Sequence, residues 1–274
     1  MKARLANSAD PIGEVRTILN RLAVGVEQDL AALPHRAADR VHDIRVRMKK
    51  FRAILLMLSG GLAARTFLRA DRMARKLKDY FSSTRDDEML RELVFDLLDE
   101  SEADSLTREL GLPPAASDPV GADAAIRATG RELGVMVETL RVHGDCRSLL
   151  FEGWITTYRA AKKCMKLSAK DGDDFVFHEW RKRIKELLYQ SSVLADTPAA
   201  AEIIPGAENL ASVLGKHHDL ALLSQKFDEK LPGHRAAKSV RQKKSSLAQR
   251  ALHLGSQLLV DKPSTLRRKL LAIR

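Results

Sequence analysis

Apolar residues recur at steps of three and four along nearly the whole chain, and this spacing restricts the possible folds more than any other feature. One early stretch has its apolar positions at Val15, Ile18, Leu19, Leu22, Val26 and Leu30. Such spacing places the side chains on one face of an α-helix. The chain shows no sustained two-residue alternation and no Asn-Gly or Asp-Gly turn between β-branched runs, which are the usual signs of strands and hairpins. The sequence therefore predicts an all-α fold.

Interruptions of the pattern predict where helices end. Towards the C-terminus the pattern predicts one helix over 199–214 and another over 220–231. The clearest linker is the stretch 110–119, because it contains closely spaced prolines, which break helices. We therefore expect two helical halves, residues 1–120 and residues 121–274.

Composition excludes several classes of protein. A chain of 274 residues can bury a core without disulfides. The two cysteines, Cys146 and Cys164, form no Cys-x-x-Cys pair, which argues against a disulfide scaffold and favours a reducing compartment. The longest clearly apolar run, 53–58, is too short to span a bilayer, and the N-terminus lacks the apolar run of a signal peptide. We expect a cytoplasmic protein with no membrane partner.

The net charge of +11 is unevenly distributed along the chain. Residues 35–78 carry 13 basic and 3 acidic groups, residues 79–145 carry 6 basic and 16 acidic groups, and residues 146–274 carry 24 basic and 13 acidic groups. Two basic blocks therefore flank one acidic block. Either these blocks are solvated helix faces, or the two basic surfaces face a shared polyanion, since fields of one sign add in a cleft. Charge alone leaves both interpretations open.

Two segments of the chain resemble each other at a shift of 136 residues. Segments 41–51 and 177–187 match at a His, an acidic residue, two Arg, a Lys and several apolar positions. A weaker pair, 84–90 and 217–223, follows in the same order. Two matches in one order indicate a duplicated helical unit.

The repeated helix carries its cations beside its apolar face rather than opposite it. At 100° per residue, the basic side chains follow the histidine along one arc that adjoins the buried face. This arc holds His42, Arg45, Lys49 and Arg52 in the first copy and His178, Arg181 and Lys185 in the second. A lone histidine near a helix start is usually a cap or a core neighbour, and Lys and Arg often extend from a core edge to solvent. Repetition of the whole set favours anion binding, because such neighbouring cations repel each other without an anion.

Further basic residues recur at helical spacing. They are Arg72 and Lys76 in one segment and Arg159, Lys162, Lys163 and Lys166 in another. Each group taken alone is more typical of a solvated face, but together they could form walls of one groove.

These residues resemble those of the CHAD domain family, whose mark is a His-x-x-Arg-x-x-x-(Lys/Arg) helix in each of two helical halves. The motif reads here as His42 to Lys49 and His178 to Lys185, and the later turns of the family look like Arg85-Asp86 and His218-Asp219. The family's basic Tyr-Arg helix looks like the segment that begins at Tyr158. The resemblance implies two pseudo-symmetric four-helix bundles around a basic central groove that binds inorganic polyphosphate through the basic residues named above.

The second copy departs from the family pattern at three positions. Glu186 and Leu188 stand where the family usually has basic residues, and His218 stands where it has Asn or Arg. We therefore expect the C-terminal half to bind phosphate less strongly than the N-terminal half.

Non-enzymatic polyphosphate binding is the leading functional hypothesis, without a cofactor. Polyphosphate granules and polyphosphate-metabolising enzymes are candidate further partners. Nucleic-acid binding is the alternative, and it is disfavoured because aromatics make up only 5% of the chain and do not alternate with the basic arc. No phosphate-binding loop of the Gly-x-x-x-x-Gly-Lys type and no His-Glu-x-x-His motif indicates an enzyme. A metal site at His217-His218-Asp219 is disfavoured, since adjacent residues on a helix diverge by about 100°.

Overall fold

The computed structural model describes residues 8–33, 37–112 and 121–271 and confirms an all-α fold, with no strand in those ranges. Twelve α-helices occur in this part of the chain: α1 (Pro11–Ala31), α2 (Ala37–Met57), α3 (Ala64–Asp79), α4 (Ser82–Leu97), α5 (Glu100–Glu109), α6 (Ala124–Glu138), α7 (Cys146–Asp171), α8 (Asp174–Val193), α9 (Pro198–Ala201), α10 (Ile203–Lys230), α11 (Arg235–Leu258) and α12 (Pro263–Leu271). Within these ranges, no helix combines the length and the apolar character needed to cross a membrane.

The long helix α10 differs from the sequence prediction. Separate helices over 199–214 and 220–231 were expected, but one helix runs from Ile203 to Lys230. A glycine inside a helix costs only about 1 kcal/mol relative to alanine. Burial of Leu214, His217 and Leu220 on either side of Gly215 outweighs that cost.

The turn between α7 and α8 shows how local sequence fixes the start of a motif helix. Gly172 ends α7 with a φ of 64°, a left-handed conformation that glycine adopts without steric cost. The carboxylate of Asp173 then accepts a hydrogen bond of 2.9 Å from the backbone N–H of Phe175 and caps the N-terminus of α8. The second His-containing helix, α8, therefore begins immediately after the turn that ends α7.

Two groups of four helices make up most of the packing. In the first, α1, α2, α3 and α6 contact each other in a ring, and in the second, α7, α8, α10 and α11 do so. Helix α2 joins the groups by contacting both α7 and α8. One apolar core extends through both groups and contains the fully buried side chains of Trp154, Trp180 and Tyr158.

Helices on the two sides of the predicted linker are interleaved in this packing. Helix α6 follows the linker but packs on α1 and α3, whereas α4 precedes it and packs on α10. Helices α4 and α5 share a second apolar cluster with α10 and α11 that includes Val94, Leu106, Leu223 and Val240. Helix contacts therefore cross the predicted boundary near residue 120. The division into halves 1–120 and 121–274 and the pseudo-symmetry of two bundles stay predictions.

The two His-containing helices, α2 and α8, lie against each other. The side-chain amide of Gln190 on α8 is fully buried and donates a hydrogen bond of 2.8 Å to the carbonyl oxygen of Ala53 on α2. The bond satisfies the N–H side of this buried amide, and leaving that group without a partner would cost about 1–3 kcal/mol. This bond fixes α8 beside α2 and so brings the cations of both copies to one place.

The close approach of α7 to α2 depends on Gly153. A Cβ atom at this position would lie 2.5 Å from the Cα atom and 2.6 Å from the carbonyl oxygen of Met57, so the clash would be with backbone rather than with a movable side chain. We expect Gly153→Ala to lower the free energy of unfolding by about 1–3 kcal/mol, as overpacking does elsewhere. Urea denaturation measures this loss. As a control, Gly121→Ala adds a methyl group in open space and should change stability by less than about 0.5 kcal/mol. Equal effects of the two substitutions would contradict the tight contact.

Candidate functional site

Five basic side chains lie on α2 and on two helices that pack against it, α3 and α8. We call them the central cation cluster: Arg45 and Lys49 on α2, Lys78 on α3, and Arg181 and Lys185 on α8. The strongest charge effects on Lys49 come from the other four members. All five side chains are partly buried. The guanidinium of Arg45 lies 3.5 Å from the carbonyl oxygen of Lys78, which ties the end of α3 to α2. Lys78 forms an ion pair of 2.5 Å with Asp79, which offsets part of its charge. The other four members concentrate positive charge in a partly desolvated place.

The pKa values of both lysines on the facing helices are lowered. Burial and then the neighbouring cations lower the pKa of Lys49 to about 7. Burial and then Arg181 lower the pKa of Lys185 to about 8, while the carboxylate of Asp219 acts in the opposite direction. Burial and like charges both disfavour the ammonium form. An anion placed among these groups would reverse the second effect and favour the charged lysines.

A pair of histidines adjoins the cluster. The Nδ1 atoms of His178 on α8 and His218 on α10 lie 3.1 Å apart, so one ring donates a hydrogen bond to the other. Burial and then Lys182 and Arg181 lower the pKa of His178, and burial and then His178 lower the pKa of His218 to about 3. The pair is therefore uncharged at neutral pH and offers hydrogen bonds rather than charge. His218, which departs from the family pattern, serves as the partner of the motif histidine.

Only two of the four residues of the predicted basic arc on α2 belong to the central cation cluster. Arg45 and Lys49 join the central cation cluster, and His42 is exposed. Arg52 donates a hydrogen bond of 2.6 Å to Asp71 on α3, and the same carboxylate accepts one from Arg75. A carboxylate of the chain itself thus neutralises part of the charge expected at Arg52.

The α3 residue in the central cation cluster is Lys78, whereas the sequence analysis had selected Arg72 and Lys76. Arg72 and Lys76 are exposed, and the ammonium of Lys76 donates a hydrogen bond of 3.2 Å to Thr129 on α6. Lys76 therefore lies on the flank of α3 that faces α6. Lys78 joins the cluster instead. Asp71 of α3 contacts Arg52 of α2, and Lys78 lies seven residues later on the same face of α3. This spacing is the signal that places Lys78 on the side of α3 facing α2.

The basic residues of α7 lie apart from the cluster. The ammonium of Lys162 donates to the carbonyl oxygens of Val260 and Asp261, just beyond the end of α11. The other three predicted residues of this helix are exposed; they are Arg159, Lys163 and Lys166. None of them is among the charges that most affect the pKa of Lys49, Lys185 or His178. The structure does not bring these residues into the central cation cluster, and their part in polyphosphate binding stays a prediction.

The remaining residues that the sequence analysis singled out contact other parts of the protein rather than the central cation cluster. Glu186 forms an ion pair of 2.7 Å with Arg183 on the flank of α8 nearest Cys164, so it does not oppose the cluster. His217 is buried and stacks on Phe177 at 4.4 Å, and the described residues hold no group of three His, Cys, Asp or Glu that could bind a metal ion. The side chains of Arg85 and Asp86 lie outside the described residues.

The two His-containing helices and the cations between them fall within a match to a known domain. The family model of the CHAD domain matches residues 17–228. The chain belongs to the CHAD domain family. This confirms the family predicted from the two motif helices. CHAD domains are linked to polyphosphate binding in general and are a non-catalytic binding family.

The chain is also similar to a solved CHAD structure. The crystal structure of the CHAD domain from the plant Ricinus communis aligns with a TM-score of 0.49 and 16% sequence identity, over 100% of this chain and 93% of that one. No curated protein sequence matches the chain. The family match includes α2, α3 and α8 entirely, so it covers every residue of the central cation cluster.

Proposed function

We propose that this CHAD domain binds inorganic polyphosphate at the central cation cluster and catalyses no reaction. The observation that supports the proposal most is that charges from two further helices act on Lys49. Lys185 and Arg181 on α8 and Lys78 on α3 lower its pKa together with Arg45 of its own helix, and Arg181 also lowers the pKa of Lys185. Holding like charges together with partial burial destabilises the free protein. A bound polyanion offsets that cost, and no carboxylate is among the charges that act most on Lys49.

The arrangement suits a chain of phosphates better than a single one. Arg45 and Lys49 lie one helical turn apart on α2, as do Arg181 and Lys185 on α8. Each pair is therefore spaced by about 6 Å along its helix. The two parallel rows of donors favour a linear ligand with an anionic group on every unit, since Arg and Lys form charge-assisted hydrogen bonds to phosphate oxygens.

The pair of His178 and His218 extends the α8 row of donors at its N-terminal end. His178 lies one turn before Arg181 and Lys182 on α8, and its ring already contacts His218 of α10. As uncharged groups, the two rings add hydrogen-bond donors without adding repulsion to the free protein. Localisation with polyphosphate granules and contact with polyphosphate-metabolising enzymes would follow from the bound polymer and stay part of the proposal.

Competition between long polyphosphate and single-stranded RNA tests the proposal. At matched phosphate concentration and about 0.15 M salt, polyphosphate should displace RNA clearly, because the cluster offers charge but no row of aromatic rings for base stacking. Fluorescence anisotropy of a labelled RNA measures the displacement. Equal affinity for the two polymers would favour nucleic-acid binding, and no binding of polyphosphate would refute the proposed function.

A further inference from the structure

We propose that two copies of this chain associate as a twofold dimer through an apolar groove between the α4–α5 hairpin and the helices α10 and α11. None of the described residues that line the groove belongs to the central cation cluster, so the inference goes beyond the proposed function and does not depend on it. The groove, the charge of its two sides and the symmetry that they allow carry the inference.

The groove is lined by apolar side chains from all four helices. It encloses about 360 Å³, part of which is open to solvent. Of its lining residues, Val94, Leu223 and Phe227 are buried, whereas Leu97 and Leu98 are only partly buried. Covering apolar surface that water still contacts is favourable by about 25 cal/mol per Å². The groove therefore favours the approach of a second surface with apolar side chains.

The two sides of the groove carry opposite charge. Residues 82–109, which contain α4 and α5, include ten acidic and three basic residues, a formal net charge of −7. Residues 235–258, which form α11, include six basic and no acidic residues, a formal net charge of +6. We call these two sides the acidic wall and the basic wall.

Charged side chains of both walls lie next to the groove lining. Glu102, one turn before the lining residue Leu106 on α5, forms an ion pair with Arg235 on α11. Glu109 and Lys243 continue the two walls, since each lies one turn from a lining residue of its own helix. All four charged side chains are exposed, so they remain accessible to a partner.

A face with an apolar centre, an acidic side and a basic side is complementary to a second copy of itself. A twofold axis along the groove places the acidic wall of each copy against the basic wall of the other and covers the apolar lining of both. Such a contact uses the same surface on both copies, so it closes as a dimer and does not continue into a filament. The second copy is therefore the occupant that the charge pattern favours.

Sedimentation velocity of the full chain over a concentration series tests the dimer. Because exposed charges orient the two copies, the dissociation constant should rise several-fold between about 0.05 M and about 0.5 M salt. Two double variants then test the walls. The variant Glu102→Lys, Glu109→Lys makes both walls basic, and the variant Arg235→Glu, Lys243→Glu makes both walls acidic.

Each double variant alone should have a dissociation constant at least about tenfold higher, because walls of like charge then face each other. An equal mixture of the two variants should restore the dimer as a heterodimer, since every acidic wall again meets a basic wall. Both variants also lose the ion pair between Glu102 and Arg235 within the chain. A defect in folding from that loss would not be repaired by mixing.

A single substitution tests the apolar centre. Ser239 lines the groove at an exposed position on α11, so Ser239→Arg places a charge over the apolar lining without opening the core. We expect it to weaken the dimer several-fold. The matched control is Ser245→Arg, at an exposed position on the same helix outside the groove lining, which should leave the dissociation constant unchanged.

Three outcomes would overturn the proposal. An unsubstituted protein that stays monomeric throughout the series would mean that the groove takes a different occupant or none. A dimer that Ser239→Arg and both double variants leave intact would mean that the copies join elsewhere. Double variants that stay monomeric when mixed would mean that the two walls do not meet across a twofold axis.

Discussion

Replacing Lys49 and Lys185 together by methionine should weaken polyphosphate binding at least about 150-fold and make the free protein more stable. Each lysine supplies a charge-assisted hydrogen bond of about 1.5–3 kcal/mol, so losing two costs about 3 kcal/mol or more of binding free energy. Methionine keeps the apolar part of the side chain, so the packing of α2 on α8 is retained. A binding isotherm with long polyphosphate at pH 7 measures the loss.

The expected gain in stability follows from the direction of the two pKa changes. The folded protein lowers the pKa of Lys49 to about 7 and of Lys185 to about 8, below the unfolded value near 10.5. The unfolded chain therefore holds more protons between about pH 7 and 10, and the stability of the unsubstituted protein rises with pH in that window. Below pH 7 both lysines are charged in the fold, and their repulsion acts in full. The stabilising effect of the substitutions should be largest there and fade towards pH 10.

A matched pair of substitutions controls for total charge. Lys163→Met with Lys166→Met removes the same two charges from exposed positions on α7. This pair should reduce polyphosphate binding by much less and should not raise the free energy of unfolding. Urea denaturation of both double variants at pH 6.5 and 9 provides the stability comparison. A similar loss of binding in the two variants would mean that net charge, rather than the central cation cluster, determines affinity.

The part of the site that the sequence predicted is the part that periodicity and repetition determine. The arc on a single helix follows from the 3.6-residue turn, so Arg45 and Lys49 on α2 were identifiable, as were their counterparts on α8. Their convergence follows from the contact between the two helices, which the buried bond from Gln190 to Ala53 fixes. The fold class was predictable for the same reason, because helical spacing extends over nearly the whole chain.

Sequence reasoning could not assign the surroundings of a basic residue where a neighbouring helix decides what its face contacts. Periodicity places Lys76 and Lys78 on different flanks of α3, but only the packing of α6 against that helix shows that Lys76 faces Thr129 and not α8. The same holds for Lys162, whose helical spacing suggested a groove wall but whose ammonium binds carbonyl oxygens beyond α11. The spacing of basic residues shows which of them share a helix face, and only the tertiary contacts show what that face binds.

Polyphosphate binding at pH 8 should take up about 1.4 protons. In the free protein at this pH, Lys49 is about one-tenth protonated and Lys185 about half, from pKa values of about 7 and about 8. A bound polyanion favours the ammonium form of both, so each lysine gains the proton fraction that it lacks. By linkage, affinity must then fall as pH rises from 7 to 9, by a factor on the order of 500.

Titration calorimetry in two buffers with different ionisation enthalpies counts these protons, since the observed heat changes with the buffer in proportion to the uptake. The Lys49→Met, Lys185→Met variant measures the contribution of the terminal phosphates of the polymer, because it lacks both lysines. Uptake near 1.4 in the unsubstituted protein and near zero in the variant would place the polymer at the central cation cluster. Equal uptake in the two proteins would mean that the polymer binds elsewhere, because a polyanion among these cations cannot leave the pKa of either lysine lowered.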